Sequence, residues 1–246
     1  MNDKSGSQES GSQESGNQEP GKLDLRPGLI GSAAILAVMI VLSAWTWAKI
    51  PAGQKVPVHW NIEGKVDQYG GKAEGLLLMP AIAAGCIAFL AALPWLEPRR
   101  LNITRSRKAY QAIWLAIVVM LGVCHCLMVM GALGIAFNMN RIMPALIGAM
   151  LIVIGNYFGK LRSNFFAGIR TPWTLSSELS WNKTHRMGGW FMVALGAALM
   201  ITAIVGSGPV AVGVVLGGAA AFIVFTMVYS YIVWKGDPNK QAVGRG

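Results

Sequence analysis

Charged side chains are scarce in this sequence. Asp, Glu, Lys and Arg supply only 13% of the 246 residues, whereas a soluble globular domain carries about 25%. Hydrophobic residues reach 54%, much of it in long uninterrupted runs, and the mean hydropathy is +0.48. The composition therefore argues against a soluble domain and predicts an all-α integral membrane protein.

Cysteine and acidic residues are also few. Cys86, Cys124 and Cys126 all lie in apolar runs, so we expect no disulfide framework, no metal site and no cofactor. Basic residues exceed acidic ones by ten, but they are spread over the polar gaps between apolar runs. This distribution argues against direct nucleic-acid binding and is typical of membrane proteins with basic cytoplasmic loops.

Six apolar runs define the predicted domain organisation, because a spanning helix needs about 20 apolar residues. A five-residue repeat, SGSQE-SGSQE-SGNQE, precedes them and has nothing apolar to bury, so residues 1–27 are predicted to be a disordered tail. We expect a membrane domain over 28–236 and a short tail over 237–246. The predicted spans cover 29–50, 75–96, 112–136, 142–159, 188–206 and 209–234.

Lys and Arg are unequally divided between the two sides that six spans would create. Sixteen lie on the side of the termini and five on the other. The positive-inside rule then places both termini in the cytoplasm. It makes residues 50–74 an external motif loop and residues 160–187 a cytoplasmic motif loop. Small residues spaced by four, such as Gly213 and Gly217 or Ala81 and Gly85, are candidates for helix packing.

The external loop, IPAGQKVPVHWNIEGKVDQYGGK, has the pattern of a hairpin. Apolar and polar residues alternate around His59, and Glu63-Gly64 forms a turn signal. His59 and Asp67 would then face each other across the turn. The sequence favours a structural hydrogen-bonded pair, and leaves open a pH-sensitive or ligand-contacting pair. A metal site is disfavoured, since only Glu63 lies nearby as a third ligand.

The cytoplasmic loop runs from NFFAGIRTPWTL into SSELSWNKTHRMGG. Pro172 biases Thr171 away from helix, and Thr174 is predicted to cap a helix that starts at Leu175. That helix is expected to lie in the membrane interface, with Trp173 and Trp181 at headgroup level.

Glu178, Asn182 and His185 have helical spacing that puts them on one face. Glu178 and His185 could be an acid–base pair, but a structural role is favoured because no nucleophile or oxyanion site accompanies them. Arg170 is predicted either to anchor the loop at the membrane or to be held by Glu178 and stacked on Trp173.

One ionisable residue, His125, lies near the middle of a predicted span. Such a residue is a functional candidate by default, but a neutral histidine bonded to a neighbouring helix is favoured here. A small-molecule transporter or channel, an alternative function, would place further charged residues within the spans, and almost none are present.

Two motif blocks carry a family resemblance. The blocks IPxxxxVPVHWNxxGxxDxYGGK and IGNYxxKLRxNxFxGIRTPWTLxxxxxWxxTHRxxG resemble the SdpI family of bacterial multi-pass membrane proteins, named for an immunity protein against a secreted toxin. The first block contributes His59, Trp60, Asn61, Gly64 and Asp67 as toxin- or ligand-contact candidates. The second contributes the signalling-loop candidates Asn164, Gly168, Arg170, Thr171, Pro172, Trp173, Thr174, Trp181, His185 and Arg186, to which the helical spacing adds Glu178.

The resemblance implies a cytoplasmic-membrane protein that protects its cell from a secreted toxin peptide or protein. It also implies a signalling role, in which the toxin-occupied protein captures a cytoplasmic transcriptional repressor. We therefore expect a binding protein, not an enzyme, whose partners are membrane lipid, toxin and repressor. The alternatives are the transporter or channel and a membrane enzyme that acts on lipid through His185 and Glu178.

Overall fold

The computed structural model describes residues 23–241. Most of the predicted N-terminal tail and the last residues of the C-terminal tail lie outside this range. Eight helices and one two-stranded sheet make up the described part. Their bounds are α1 Arg26–Lys49, β1 Val56–Trp60, β2 Val66–Gly70, α2 Lys72–Leu96, α3 Arg100–Arg105, α4 Arg107–Ala132, α5 Met139–Phe158, α6 Pro172–Leu175, α7 Glu178–Val205 and α8 Gly208–Lys235.

Six of these helices, α1, α2, α4, α5, α7 and α8, are long and apolar enough to cross a membrane. The predicted all-α multi-pass architecture is therefore confirmed. The helices extend beyond the apolar runs at several ends, because Arg, Lys and Glu favour helix about as well as Leu does. Thus α4 begins at Arg107, and the segment between the second and third apolar runs contains the short helix α3.

The helix predicted to run from Leu175 into the fifth span begins three residues later than expected. It is α7, one continuous helix of 28 residues that begins at Glu178 and includes the segment expected in the interface. Its start is set by Ser177, whose hydroxyl accepts a hydrogen bond from the Ser180 N–H at 2.9 Å. No glycine or proline lies between Glu178 and Met187 to end the helix again.

Helix α5 packs against α7 through glycines at seven-residue spacing. A Cβ on Gly155 would lie 2.6 Å from the Gly189 carbonyl oxygen, and one on Gly148 would lie 2.7 Å from that of Gly196. The prediction for Gly213 and Gly217 is wrong within the described chain, since a Cβ on either would meet nothing within 4 Å. Spacing marks a small-residue stripe but does not determine which face of a helix points inward.

Helices α1, α2 and α4 form the other half of the bundle, around a cluster that includes Tyr110 and Trp114. His125 joins all three helices. Its Nε2 lies 3.1 Å from the Met39 carbonyl oxygen of α1 and 3.0 Å from the Ser43 hydroxyl, which in turn donates to the Leu76 carbonyl of α2 at 2.6 Å. The predicted bond from His125 to a neighbouring helix is confirmed.

Candidate functional site

The segment between α1 and α2 forms the expected hairpin. Strands β1 and β2 are antiparallel, with His59 paired to Gln68 and Trp60 to Val66. The Asn61 side-chain oxygen accepts hydrogen bonds from the N–H groups of Glu63 and Lys65, both at 3.0 Å. Gly64 has φ of 74°, a conformation that glycine adopts without strain. Two of the motif residues, Asn61 and Gly64, therefore shape the turn.

His59 and Asp67 meet across the hairpin, as the sequence predicts. Nδ1 of His59 lies 2.6 Å from a carboxylate oxygen of Asp67, and the two side chains are 57% and 40% exposed. Such an exposed pair contributes little to stability. At the turn, the Lys65 ammonium donates to Glu63 at 2.9 Å, which lowers the pKa of Glu63 and raises that of Lys65.

The hairpin is held against the bundle at several points. Val56 is fully buried, and the Trp60 ring packs 5.9 Å from Phe137. The Asn140 side-chain amide of α5 donates to the Glu63 carbonyl at 2.9 Å. Gly208, the first residue of α8, lies so close to the Ile62 carbonyl oxygen that a Cβ would overlap it. Both α5 and α8 therefore begin in direct contact with the hairpin.

A cavity of about 640 Å³ lies beneath the hairpin, between α2, α4, α5 and α8. Its walls are mainly aliphatic and methionine side chains, and the hairpin supplies a polar edge. Methionine is flexible and polarisable, so such walls adapt to apolar partners of different shapes. The residues that define this apolar groove include His59, Trp60, Asn61, Met79, Leu127, Met128, Asn140, Met143, Ile147 and Val215.

The second motif block lies at the opposite end of the bundle, between α5 and α7. His185 is its centre and is fully buried. Its Nε2 accepts a hydrogen bond from the Ile169 N–H at 2.9 Å, and its Nδ1 donates to the Trp181 carbonyl at 2.8 Å. These two partners make the imidazole neutral with the proton on Nδ1. The ring stacks on Trp181 with centroids 4.0 Å apart.

The surroundings of His185 bear on two expectations and on one alternative that the sequence disfavours. Trp181 is fully buried, and its Nε1 donates to the Leu161 carbonyl at 2.7 Å, so its indole packs inside the protein and is not exposed to lipid headgroups. Glu178 is exposed while His185 is buried, so the two side chains do not form a pair, although their spacing predicted a common face. With both ring nitrogens bonded to backbone groups, His185 has no free nitrogen for acid–base chemistry.

Two threonines form the turn before α7. Thr171, not Thr174, is the cap: its hydroxyl accepts from the Thr174 N–H at 3.1 Å, and the Thr174 hydroxyl accepts from the Thr171 N–H at 3.0 Å. Pro172 occupies the first position of α6, where its missing N–H costs nothing. Because α6 ends after four residues, the cap organises a tight turn rather than the start of a long helix.

The motif block is fastened to the end of α8. The Thr171 hydroxyl donates to that of Ser230 at 3.0 Å, and the Ser180 hydroxyl donates to the Ser230 carbonyl at 2.9 Å. Beyond α8, the Ser177 hydroxyl donates to Asp237 at 2.5 Å, and this bond is the main reason that the pKa of Asp237 is lowered. Trp173 packs edge-on against Tyr231, with centroids 5.3 Å apart.

Glu97 also holds the motif block, and the sequence analysis missed it. This carboxylate is 1% exposed and accepts hydrogen bonds from the N–H groups of Arg99 and Phe165, both at 2.9 Å. Arg99 lies over the Phe165 ring at 4.7 Å. The sequence feature that could have identified Glu97 is an acidic residue directly after the second apolar run, where membrane proteins commonly have a basic residue.

The second block thus separates into a buried and an exposed set. Arg170 is exposed and donates to the Phe165 carbonyl at 2.5 Å; within residues 23–241 neither an ion pair with Glu178 nor stacking on Trp173 is found. Arg186 and Glu178 are exposed as well. The buried set, which shapes the loop, comprises Asn164, Thr171, Thr174, Trp181 and His185.

Comparisons with known proteins match both blocks. The model of the SdpI/YfhL protein family matches residues 160–230, and a family model described as a domain of unknown function, DUF1648, matches residues 34–84. The immunity protein SdpI of Bacillus subtilis (strain 168) is 22% identical over 173 residues, which cover 69% of this chain and 78% of that protein. No solved structure matches.

Proposed function

Because the chain belongs to the SdpI family of bacterial multi-pass membrane proteins, we propose that it protects its cell from a secreted antimicrobial toxin. The relative from Bacillus subtilis is named as an immunity protein. The structural observation that supports the proposal most directly is the placement of two specialised elements at opposite ends of one bundle. A protein that both binds toxin and signals its presence needs one end that binds the toxin, here called the receiving end, and one that contacts a cytoplasmic partner, here called the reporting end. The two motif blocks of this chain have that arrangement.

The receiving end is the hairpin. The excess of basic residues on the side of the termini supports an external location for this end. His59 and Asp67 stand exposed on the hairpin, and the apolar groove opens below it. A toxin that enters the membrane would meet a polar pair at the surface and an apolar surface underneath. We propose that Trp60, Asn61 and Gly64 shape this end of the protein. The exposed pair, His59 and Asp67, would contact the toxin.

Helix α8 connects the two ends. At its start Gly208 touches the hairpin carbonyl of Ile62, and at its end Ser230 bonds to Thr171 and Ser180 of the motif block. Its 28 residues extend about 42 Å at 1.5 Å per residue. A toxin that binds more tightly to one position of the hairpin would shift the position of α8, and with it the motif block.

The reporting end is the exposed part of the second block. Arg170 is the central candidate, because its guanidinium is exposed and its loop is held rigid by Glu97, Thr171 and His185 from beneath. We propose that the toxin-occupied protein captures a cytoplasmic transcriptional repressor on this surface. A rigid support with an exposed arginine suits recognition of a carboxylate on such a partner.

Deletion of the gene followed by challenge with the toxin of a producing strain tests protection. The deleted strain should be killed at toxin concentrations that the parent survives, and a plasmid copy should restore survival. A variant with both His59→Ala and Asp67→Ala should protect less while reaching normal levels in the membrane. Equal survival of deleted and parent strains would refute immunity.

A further inference from the structure

Five basic side chains surround a cavity of about 550 Å³ at the same end of the bundle as the second motif block. They come from the end of α3, the segment after α5 and the first turns of α7. All five are exposed at its rim. We call this the basic pocket; its cations are Arg105, Lys160, Arg162, Lys183 and Arg186.

The backbone around the basic pocket is firmly placed. The Arg162 N–H donates to the Ser106 hydroxyl at 2.8 Å. A Cβ on Gly159 would lie 3.1 Å from Cα of Arg186, so the end of α5 lies directly beside α7. The close approach of these segments brings like charges together. A second cavity of about 470 Å³ adjoins it, shares Arg105 and Lys160, and adds Arg107 and Lys108.

No counter-charge from the described residues accompanies these cations. Neither cavity has an aspartate or glutamate among the described residues that line it. The two ion pairs found in residues 23–241 are both on the hairpin, at the far end of the bundle. Clustered cations repel one another, and an anion bound between them removes the repulsion. Arginine and lysine together are the side chains that bind phosphate.

The surface beside the pocket favours a lipid as the source of the phosphate. Outward-facing apolar side chains continue from it along α5 and α7, with Val153 41%, Met187 37% and Trp190 69% exposed. A lipid whose headgroup occupied the pocket would lay its acyl chains along this surface. Basic pockets between membrane helices on the cytoplasmic side bind anionic headgroups in this manner.

We propose that the basic pocket and its adjoining cavity bind an anionic phospholipid with two phosphates, of the cardiolipin type. One phosphate lies among Arg162, Lys183 and Arg186, and the second is held near Arg105 and Lys160. This site shares Arg186 with the proposed reporting surface, but lipid binding can be measured with no toxin and no partner present. Failure of one proposal therefore leaves the other intact.

The test uses the full chain purified in a neutral detergent, with cardiolipin, phosphatidylglycerol, phosphatidylcholine and inorganic pyrophosphate as separate probes. Native mass spectrometry counts retained lipid, and a melting curve measures stabilisation. Cardiolipin should remain bound and raise the melting temperature most. Phosphatidylcholine and pyrophosphate should have little effect. Equal retention of cardiolipin and phosphatidylcholine would overturn the proposal, and stabilisation by pyrophosphate as large as by cardiolipin would indicate a soluble anion instead.

Two triple variants provide the matched comparison. Arg162→Gln with Lys183→Gln and Arg186→Gln should weaken cardiolipin binding about a hundredfold, since each basic residue near an anionic lipid contributes about fivefold. Lys49→Gln with Lys55→Gln and Lys235→Gln removes the same charge elsewhere and should bind normally. If the first variant is poorly folded in detergent, Lys183→Gln alone should weaken binding about fivefold. Unchanged binding in the pocket variants would refute the site.

Discussion

The carbonyl oxygen of Ile62, at the turn of the hairpin, lies directly against the backbone of Gly208 at the start of α8. No other residue type fits at position 208 without moving one of the two segments. The same helix ends in hydrogen bonds between Ser230 and the second motif block. Contact at both ends makes α8 the simplest physical connection between the two motif blocks, and it makes Gly208 the place to test that connection.

Gly208→Ala should displace the hairpin, because the added methyl group would overlap the Ile62 carbonyl. We expect a loss of about 1–3 kcal/mol in stability and reduced protection against toxin. Melting curves and survival assays measure the two effects. Gly213→Ala on the same helix is the control, since a Cβ there meets nothing within 4 Å. If the two variants were equally stable and protective, the contact would have no role.

Gly168→Ala should disrupt the second block. Its φ is 118°, which side chains rarely adopt, and a Cβ would overlap Nε2 of His185. Strain and overlap together are expected to cost more than the roughly 1–3 kcal/mol of backbone strain alone. Gly53→Ala, with φ of 82° in open space, isolates the strain contribution. A fall in melting temperature no larger than that of Gly53→Ala would show that His185 does not constrain the loop.

Glu97→Gln should loosen the second block from α2 while conserving the size of the side chain. The carboxylate accepts one backbone N–H with each oxygen, whereas an amide offers only one acceptor and leaves the second N–H facing an NH₂ group. A buried donor without a partner costs about 1–3 kcal/mol. The melting temperature should fall by a corresponding amount. The exposed Glu178→Gln serves as the control and should melt as the parent does.

Arg170→Ala should abolish capture of the cytoplasmic partner without affecting toxin binding. The side chain is exposed and its only described bond is to the Phe165 carbonyl, so its removal should leave folding and toxin binding intact. Capture of a cytoplasmic partner, measured by co-purification after toxin exposure, should be lost. Lys235→Ala, an exposed cation on α8, is the control for charge alone. Loss of toxin binding together with capture would argue that Arg170 has a structural role.

Much of the fold followed from the sequence, because the bilayer imposes long apolar helices that composition reveals directly. The six spans, the hairpin and the meeting of His59 with Asp67 depend on local pattern and were predicted. The buried side of α7 was not predicted from the sequence. Its polar residues Ser180, Thr184 and His185 face inward, contrary to what amphipathic spacing indicates for a surface helix.

The sequence by itself determined the class of the protein, its six helices and the two blocks that carry its family resemblance. Tertiary structure alone decided which residues of those blocks are exposed, that Glu97 holds the loop, that α8 touches both blocks and that cations from three segments share one pocket. The reason is physical. Spans and turns depend on neighbouring residues, whereas these contacts join residues far apart in the chain, and their partners exist only once the helices have packed.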